Sequence, residues 1–311
     1  MSKATRQERE TTYRAAESAL WSSVGLSPTE HRIAFPGVDG TVRVQEVGEG
    51  PPTLFIHGGP NSGTTWAPLM PYVPGVRALM VDRPGTGLSD TIEIGSIAEL
   101  ERFGDRFVAS VLDALGVERA DIVASSLGGY LAVRSAAATP GRIGRMVQMA
   151  CPAGAPGMLT PAFMRAISVK PVRRLLARLP YNQKASDLIL RQIGHGKTLD
   201  RGGFPREFDE WYTALMTSTD TNVNDGELIG KGATVRGFVD EFTLVPTLPK
   251  VEQPTLFLWG ADDGFGGEDV ARATVALMPN AELEMIEDAG HLPWLDAPQL
   301  IGTKTASFLA G

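Results

Sequence analysis

The sequence predicts an α/β protein: a doubly wound, mostly parallel sheet with an inserted, mainly helical cap. Three observations point there. Compact apolar runs such as TLFIHGG (53–59), ADIVASS (120–126) and QPTLFLWG (253–260) end in small or polar residues, the pattern of strands buried on both faces. Helical patterns separate these runs, and alternating strands and helices build a doubly wound sheet. Between about 155 and 245 the alternation lapses into short helical pieces with no convincing buried strand.

Taken in order, residues 1–30 read as a helical extension, with Tyr13, Ala16, Leu20 and Val24 forming a stripe that packs on the body of the protein. HRIAF and TVRVQEV alternate on either side of the turn residues PGVDG and read as an antiparallel hairpin. The core comprises residues 31–154 and 246–311. Its buried strands are TLFIHGG, RALMVDRPG (77–85), ADIVASS, RIGRMVQMA (142–150) and QPTLFLWG, with a more alternating last strand at AELEMIED (281–288). Helices are predicted over about 95–116, 127–139, 268–278 and 298–309. The cap, 155–245, carries the helix-like pieces PAFMRAI, PVRRLLARL, SDLILRQI and REFDEWYTALM, and follows the sixth strand or so. In an open sheet of this kind ligands bind at the carboxyl ends of the strands, so the chemistry belongs there.

Composition narrows the function classes. The 311 residues are 43% hydrophobic and 21% charged with a net charge of −7, enough for a large core and a poor match to nucleic acid. Cys151 is the only cysteine, so no intrachain disulfide forms. The opening stretch MSKATRQERETTYRAA lacks the apolar run of a secretory signal, and no later run suits a bilayer span; a cytoplasmic protein is expected. No metal-ligand spacing links the four histidines. The glycines of VDRPGTGLSD (81–90) do not fit a dinucleotide fingerprint. The expected partner is a small-molecule substrate, with no cofactor, no metal, no nucleic acid and no membrane.

The sharpest motif is DIVASSLGGY, a buried strand that breaks into a helix at a serine. A serine hydroxyl becomes a nucleophile only when exposed and served by a base. A tight strand–turn–helix exposes it, but the crowded backbone demands small residues two before and two after. Ser126 has Ala124 and Gly128 at those positions, whereas Ser125 would have Val123 and Leu127. Ser126 is therefore the candidate nucleophile. The plainer reading is a helix N-cap, a role serine fills well.

From about residue 31 onward, the chain resembles the α/β-hydrolase family on ASSLGG, HGGP (57–60), WGADD (259–263) and DAGH (288–291). The resemblance implies the chain order nucleophile, acid, histidine, each on a loop after a strand. It implies Asp263 as the acid, with Asp262 a solvent-facing or turn-stabilising neighbour, and His291 above the serine. His291 would take the Ser126 proton and return it to the leaving group, while Asp263 orients the ring. Backbone N–H groups of Leu127 and Gly59, with Gly58 as the alternative to Gly59, would bind the oxyanion. His57 is read as bonding within its own loop. VDRPGTGLSD resembles the family's D-x-x-G-x-G-x-S loop and is read as structural. His31 is assigned to the hairpin, His195 to a solvated loop and Cys151 to apolar filling, while Trp66, Trp259 and Trp294 are core or pocket wall.

A serine nucleophile argues against the haloalkane dehalogenase and epoxide hydrolase branches. Hydrolysis of a carboxylic ester or lactone is the leading expectation. C–C bond hydrolysis of a ring-cleavage diketone is suggested by WGADD and HGGPNSGTTW, and a proline-iminopeptidase type by HGGP, although Asn61 replaces that family's usual glycine. The stretch from Ala155 to Arg206 is rich in Arg and Lys, expected as a solvated face. A C–C hydrolase or carboxylate-specific esterase would turn an arginine inward, Arg165, Arg173 or Arg191 being candidates. A ligand receptor on the same scaffold is the non-enzymatic alternative.

Overall fold

The computed structural model describes residues 5–176 and 181–311. Helix α1 (Arg6–Ser23) starts at a reciprocal cap: Thr5 accepts from the Glu8 amide while the Glu8 carboxylate accepts from the Thr5 amide. Strands β1 (Thr29–Ile33) and β2 (Val42–Val47) form the predicted antiparallel hairpin. Then come β3 (Pro52–Ile56), β4 (Arg77–Val81), helix α2 (Ile97–Ala114), β5 (Ala120–Ser125), helix α3 (Leu127–Ala138) and β6 (Ile143–Met149). After a long insert, β9 (Thr255–Gly260), α10 (Glu268–Val275), β10 (Ala281–Ile286), α11 (Pro293–Asp296) and α12 (Pro298–Ala310) complete the chain.

The eight strands run β1-β2-β4-β3-β5-β6-β9-β10, antiparallel across β1-β2 and β2-β4 and parallel elsewhere. Leu54, Phe55 and Ile56 of β3 and Ile122, Val123 and Ala124 of β5 are fully buried, which is why their runs do not alternate. Edge strand β10 is only partly buried until Ile286, in keeping with its more polar, alternating letters. Helices α2 and α3 pack together where Gly104 admits Arg134 and Leu131; Ser135 Oγ donates to the Gly104 carbonyl (2.6 Å) and accepts from the Val108 amide (3.2 Å).

The insert between β6 and β9 holds α4 (Ala162–Ser168), α5 (Lys170–Leu176), α6 (Gln183–Gln192), α7 (Gly196–Asp200), α8 (Arg206–Ser218) and α9 (Thr221–Gly232). A two-residue ladder, β7 (Ala233–Thr234) with β8 (Gly237–Phe238), closes it; runs that short leave no apolar signature.

Of the predicted stripe, Tyr13 and Leu20 are buried and Ala16 and Val24 partly buried; helix α1 also buries Trp21 and Glu17. Glu17 takes two hydrogen bonds, 2.8 and 2.7 Å, from Arg43, which is fully buried in β2 and also donates to Asp82 (2.8 Å). The alternation of TVRVQEV turns Arg43 to the face that α1 covers, so its charge must be paired there. Trp211 of α8 donates to the Tyr13 hydroxyl (3.3 Å), so α1 touches sheet and insert together. Among the described residues no helix is long and apolar enough to cross a membrane.

Candidate active site

The loops after β3, β5, β6, β9 and β10 meet at the carboxyl edge of the sheet. At the end of β5, Ser126 has φ 51° and ψ −118°, a conformation rare for a residue with a side chain. Its hydroxyl makes no capping bond to α3, which removes the N-cap reading. The turn depends on its small neighbours. A Cβ on Gly128 would lie 2.0 Å from the Ile56 carbonyl oxygen, and one on Gly58 would lie 2.7 Å from Ser126 Cβ.

Asp263, after β9, sits beside His291, after β10. The His291 Nδ1 lies 3.0 and 2.9 Å from the two Asp263 oxygens. Two backbone amides also donate to that carboxylate, Cys151 at 3.0 Å and Phe265 at 2.8 Å, so a buried charge is fully satisfied. These bonds place the His291 proton on Nδ1. Its Nε2 is buried with no hydrogen-bond partner among the described residues, and the Phe265 ring packs 4.4 Å from the imidazole. Asp262 points away and pairs with Lys197 (2.8 Å).

Loop 57–60 is held from beneath. The Arg83 amide donates to His57 Nε2 (3.1 Å), so Nδ1 donates to the Gly58 carbonyl (2.6 Å). Burial, then the Arg83 charge, hold this imidazole well below its ordinary pKa, hence neutral. Arg83 further donates to the carbonyls of His57 (3.1 Å) and Gly58 (3.0 Å), and to Asp225 of α9 (2.8 Å). The Gly59 and Leu127 amides have no acceptor among the described residues.

Ser126, Leu127, Gly59 and His291 open into one cavity of ≈ 710 Å³ between sheet and insert. Its walls are mainly apolar, including Phe163, Phe208, Phe242 and Phe265. Arg173 borders it, but its donors are engaged by Glu227 and the carbonyls of Ile167 and Ser168. Arg165 and Arg191 are held outside it by Thr160 and Asp200. Asp225 and Asp209 also line it. Burial pushes the Asp209 carboxyl up to about 6. Among the described residues no group of three or more His, Cys, Asp or Glu could hold a metal.

Other expectations resolve individually. His31 pairs with Glu46 (2.9 Å) in the hairpin. Cys151 is buried, as a filler should be, and burial raises its thiol pKa; its amide contact to Asp263 was not foreseen. Trp66, Trp259 and Trp294 are core residues, the first and last with ring centroids 4.4 Å apart. His195 corrects the solvated-loop expectation: it is fully buried, with Nδ1 3.0 Å from Asp296 and Nε2 accepting from the Leu292 amide (3.2 Å). A Gly-flanked histidine reads as a loop residue, but here Gly194 lets the backbone press against the loops that carry Asp262 and Gly290. His195 and Asp225 carry no motif, and their partners are 101 and 142 residues away.

A model of the alpha/beta hydrolase family matches residues 53–301. A 2-hydroxy-6-oxononadienedioate/2-hydroxy-6-oxononatrienedioate hydrolase of Burkholderia vietnamiensis is 29% identical over 274 residues, covering 83% of this chain and 87% of its own. Among solved structures, carboxylesterase CesB from Bacillus subtilis superposes with a TM-score of 0.73 at 19% identity, over 98% of this chain and 99% of the other. A meta-cleavage product hydrolase from Pseudomonas fluorescens gives 0.67 at 19% identity, over 90% of this chain and 97% of its own. The two structural likenesses establish a shared fold.

Proposed function

The chain belongs to the alpha/beta hydrolase family, and on that footing we propose that it is a serine hydrolase acting on a small carboxylic ester or lactone. One arrangement carries the reading. A serine at positive φ, its hydroxyl unused as a cap, opens into the same cavity as a histidine whose Nδ1 is held by a carboxylate and whose Nε2 is unpartnered. In the reaction, His291 Nε2 takes the Ser126 proton as Oγ adds to the ester carbonyl. The oxyanion is met by the Leu127 and Gly59 amides; Gly59 lines the cavity and Gly58 does not, which favours Gly59 as donor. Return of the proton to the leaving alcohol breaks the C–O bond and leaves an acyl-enzyme. Water, deprotonated by His291, then releases the acid and restores Ser126.

The cavity wall supports an ester over a carboxylate-rich substrate. Half-buried Arg173 is already paired with Glu227, Arg174 at the same wall is exposed to solvent, and Asp225 beside Gly59 is paired with Arg83, so among the described residues no unpaired buried cation faces the cavity. C–C bond hydrolysis is the second reading, favoured by the names of the curated relatives, one of which is the Burkholderia vietnamiensis protein. A side-by-side assay of p-nitrophenyl esters of graded chain length and a vinylogous diketone carboxylate separates the two. Faster turnover of the diketone than of every ester overturns the ester assignment. A fluorescent phosphonate should label Ser126 stoichiometrically. Ser126→Ala and His291→Ala should each lower turnover by at least roughly a thousandfold, and near-normal turnover in either refutes the triad.

A further inference from the structure

Three consecutive amides around His291 are held, two of them by the insert. Gly290 N–H donates to Asp296 (2.8 Å), His291 N–H to the Ile193 carbonyl (2.8 Å) and Leu292 N–H to His195 Nε2 (3.2 Å). The Leu292 amide can only donate, so His195 Nε2 carries the lone pair and its proton sits on Nδ1, facing Asp296. A second His–Asp pair, outside the cavity, thus grips the backbone on both sides of His291.

The surrounding contacts are equally close. Gly194 has φ 98°, and a Cβ there would lie 2.0 Å from the Asp262 carbonyl oxygen and 2.9 Å from Gly290 Cα. A Cβ on Gly264 would lie 2.1 Å from the Gln192 carbonyl oxygen. Lys197 of α7 bridges Asp262 (2.8 Å) and Asp288 (2.7 Å), one from each loop. Residues 192–201 therefore strap the Asp263 loop and the His291 loop together.

We propose that His195 is a positioning residue: through the Leu292 amide it sets the orientation of the His291 ring. This rests on the triad reading above. Because His195 does not line the cavity, its loss acts on turnover and not on substrate binding. Misplacing a catalytic group by 1 Å can cost on the order of a hundredfold in rate.

The test compares His195→Asn with His195→Gln in the full chain. Asparagine keeps an amide donor for Asp296 but is too short to reach Leu292; glutamine carries an acceptor to about where Nε2 lay. The asparagine variant should label with phosphonate and turn over a p-nitrophenyl ester roughly tenfold or more slowly at unchanged KM, with glutamine within about threefold of wild type. Equal rates in the two variants, whether both normal or both slowed in step with a lower Tm, overturn the proposal. Should the asparagine variant not fold, Asp296→Asn removes the charge that orients His195; the same loss in kcat alone is expected, and wild-type kcat overturns the proposal. A wild-type protein that resists the probe sinks the triad reading and this inference with it. Normal wild-type labelling with indifferent variants sinks this inference alone.

Discussion

Ser126 occupies a backbone region that strains a side chain by about 1–3 kcal/mol, and it persists because Ala124, Gly128 and Gly58 leave room around it. That local crowding is why the position was readable from letters alone: the small residues are required within two places of the serine. Asp263 and His291 stand at strand ends in the expected order, and the structure brings them together. Asp209 belongs to the other kind, since its environment is assembled from α8 and the cavity wall. Its carboxyl is raised to about 6 by burial, above the ordinary value of about 3.9. The folded state therefore holds that proton between the two values while the unfolded chain releases it, so this group's contribution to stability falls as pH rises from about 4 to about 6 and is level above that. Asp209→Asn should melt higher than wild type at pH 7.5, with the difference shrinking toward pH 4.5; scanning fluorimetry at both pH values checks this. A variant no more stable at pH 7.5 contradicts it.

Among elements, those buried on both faces were the easiest to read. Strands β3 and β5 are mostly apolar runs because both their faces are buried, with α3 packed against them. The insert resists reading because its helices are short and α6 and α9 each turn only part of their surface to the cavity. Its attachments include polar contacts made by single side chains, Asp225 to Arg83 and His195 to Leu292, which no periodicity announces. The α2–α3 contact illustrates what one such bond contributes within the core. Ser135→Ala would strip the Val108 amide of its side-chain acceptor and leave the Gly104 carbonyl without its hydroxyl donor. A loss of about 1–3 kcal/mol in chemical denaturation is expected, with activity unchanged at low temperature. A variant as stable as wild type removes the importance given to this bond.

The whole molecule is joined through α1, which lies across β2 and against α8. Glu17 offsets a charge that no water reaches. Glu17→Gln should lower stability by about 3–5 kcal/mol, as breaking buried pairs does elsewhere, and urea unfolding with an unchanged m-value would measure it. A loss under about 1 kcal/mol would mean that Asp82 alone suffices for Arg43. The same arrangement bears on how the protein is made. Tyr13 and Glu17 are synthesised before their partners, which arrive at residues 43, 62 and 211. Until residue 211 is synthesised, this helix waits with part of its sticky flank uncovered, so a chain stalled before that point would be the species most exposed to aggregation and to chaperone capture.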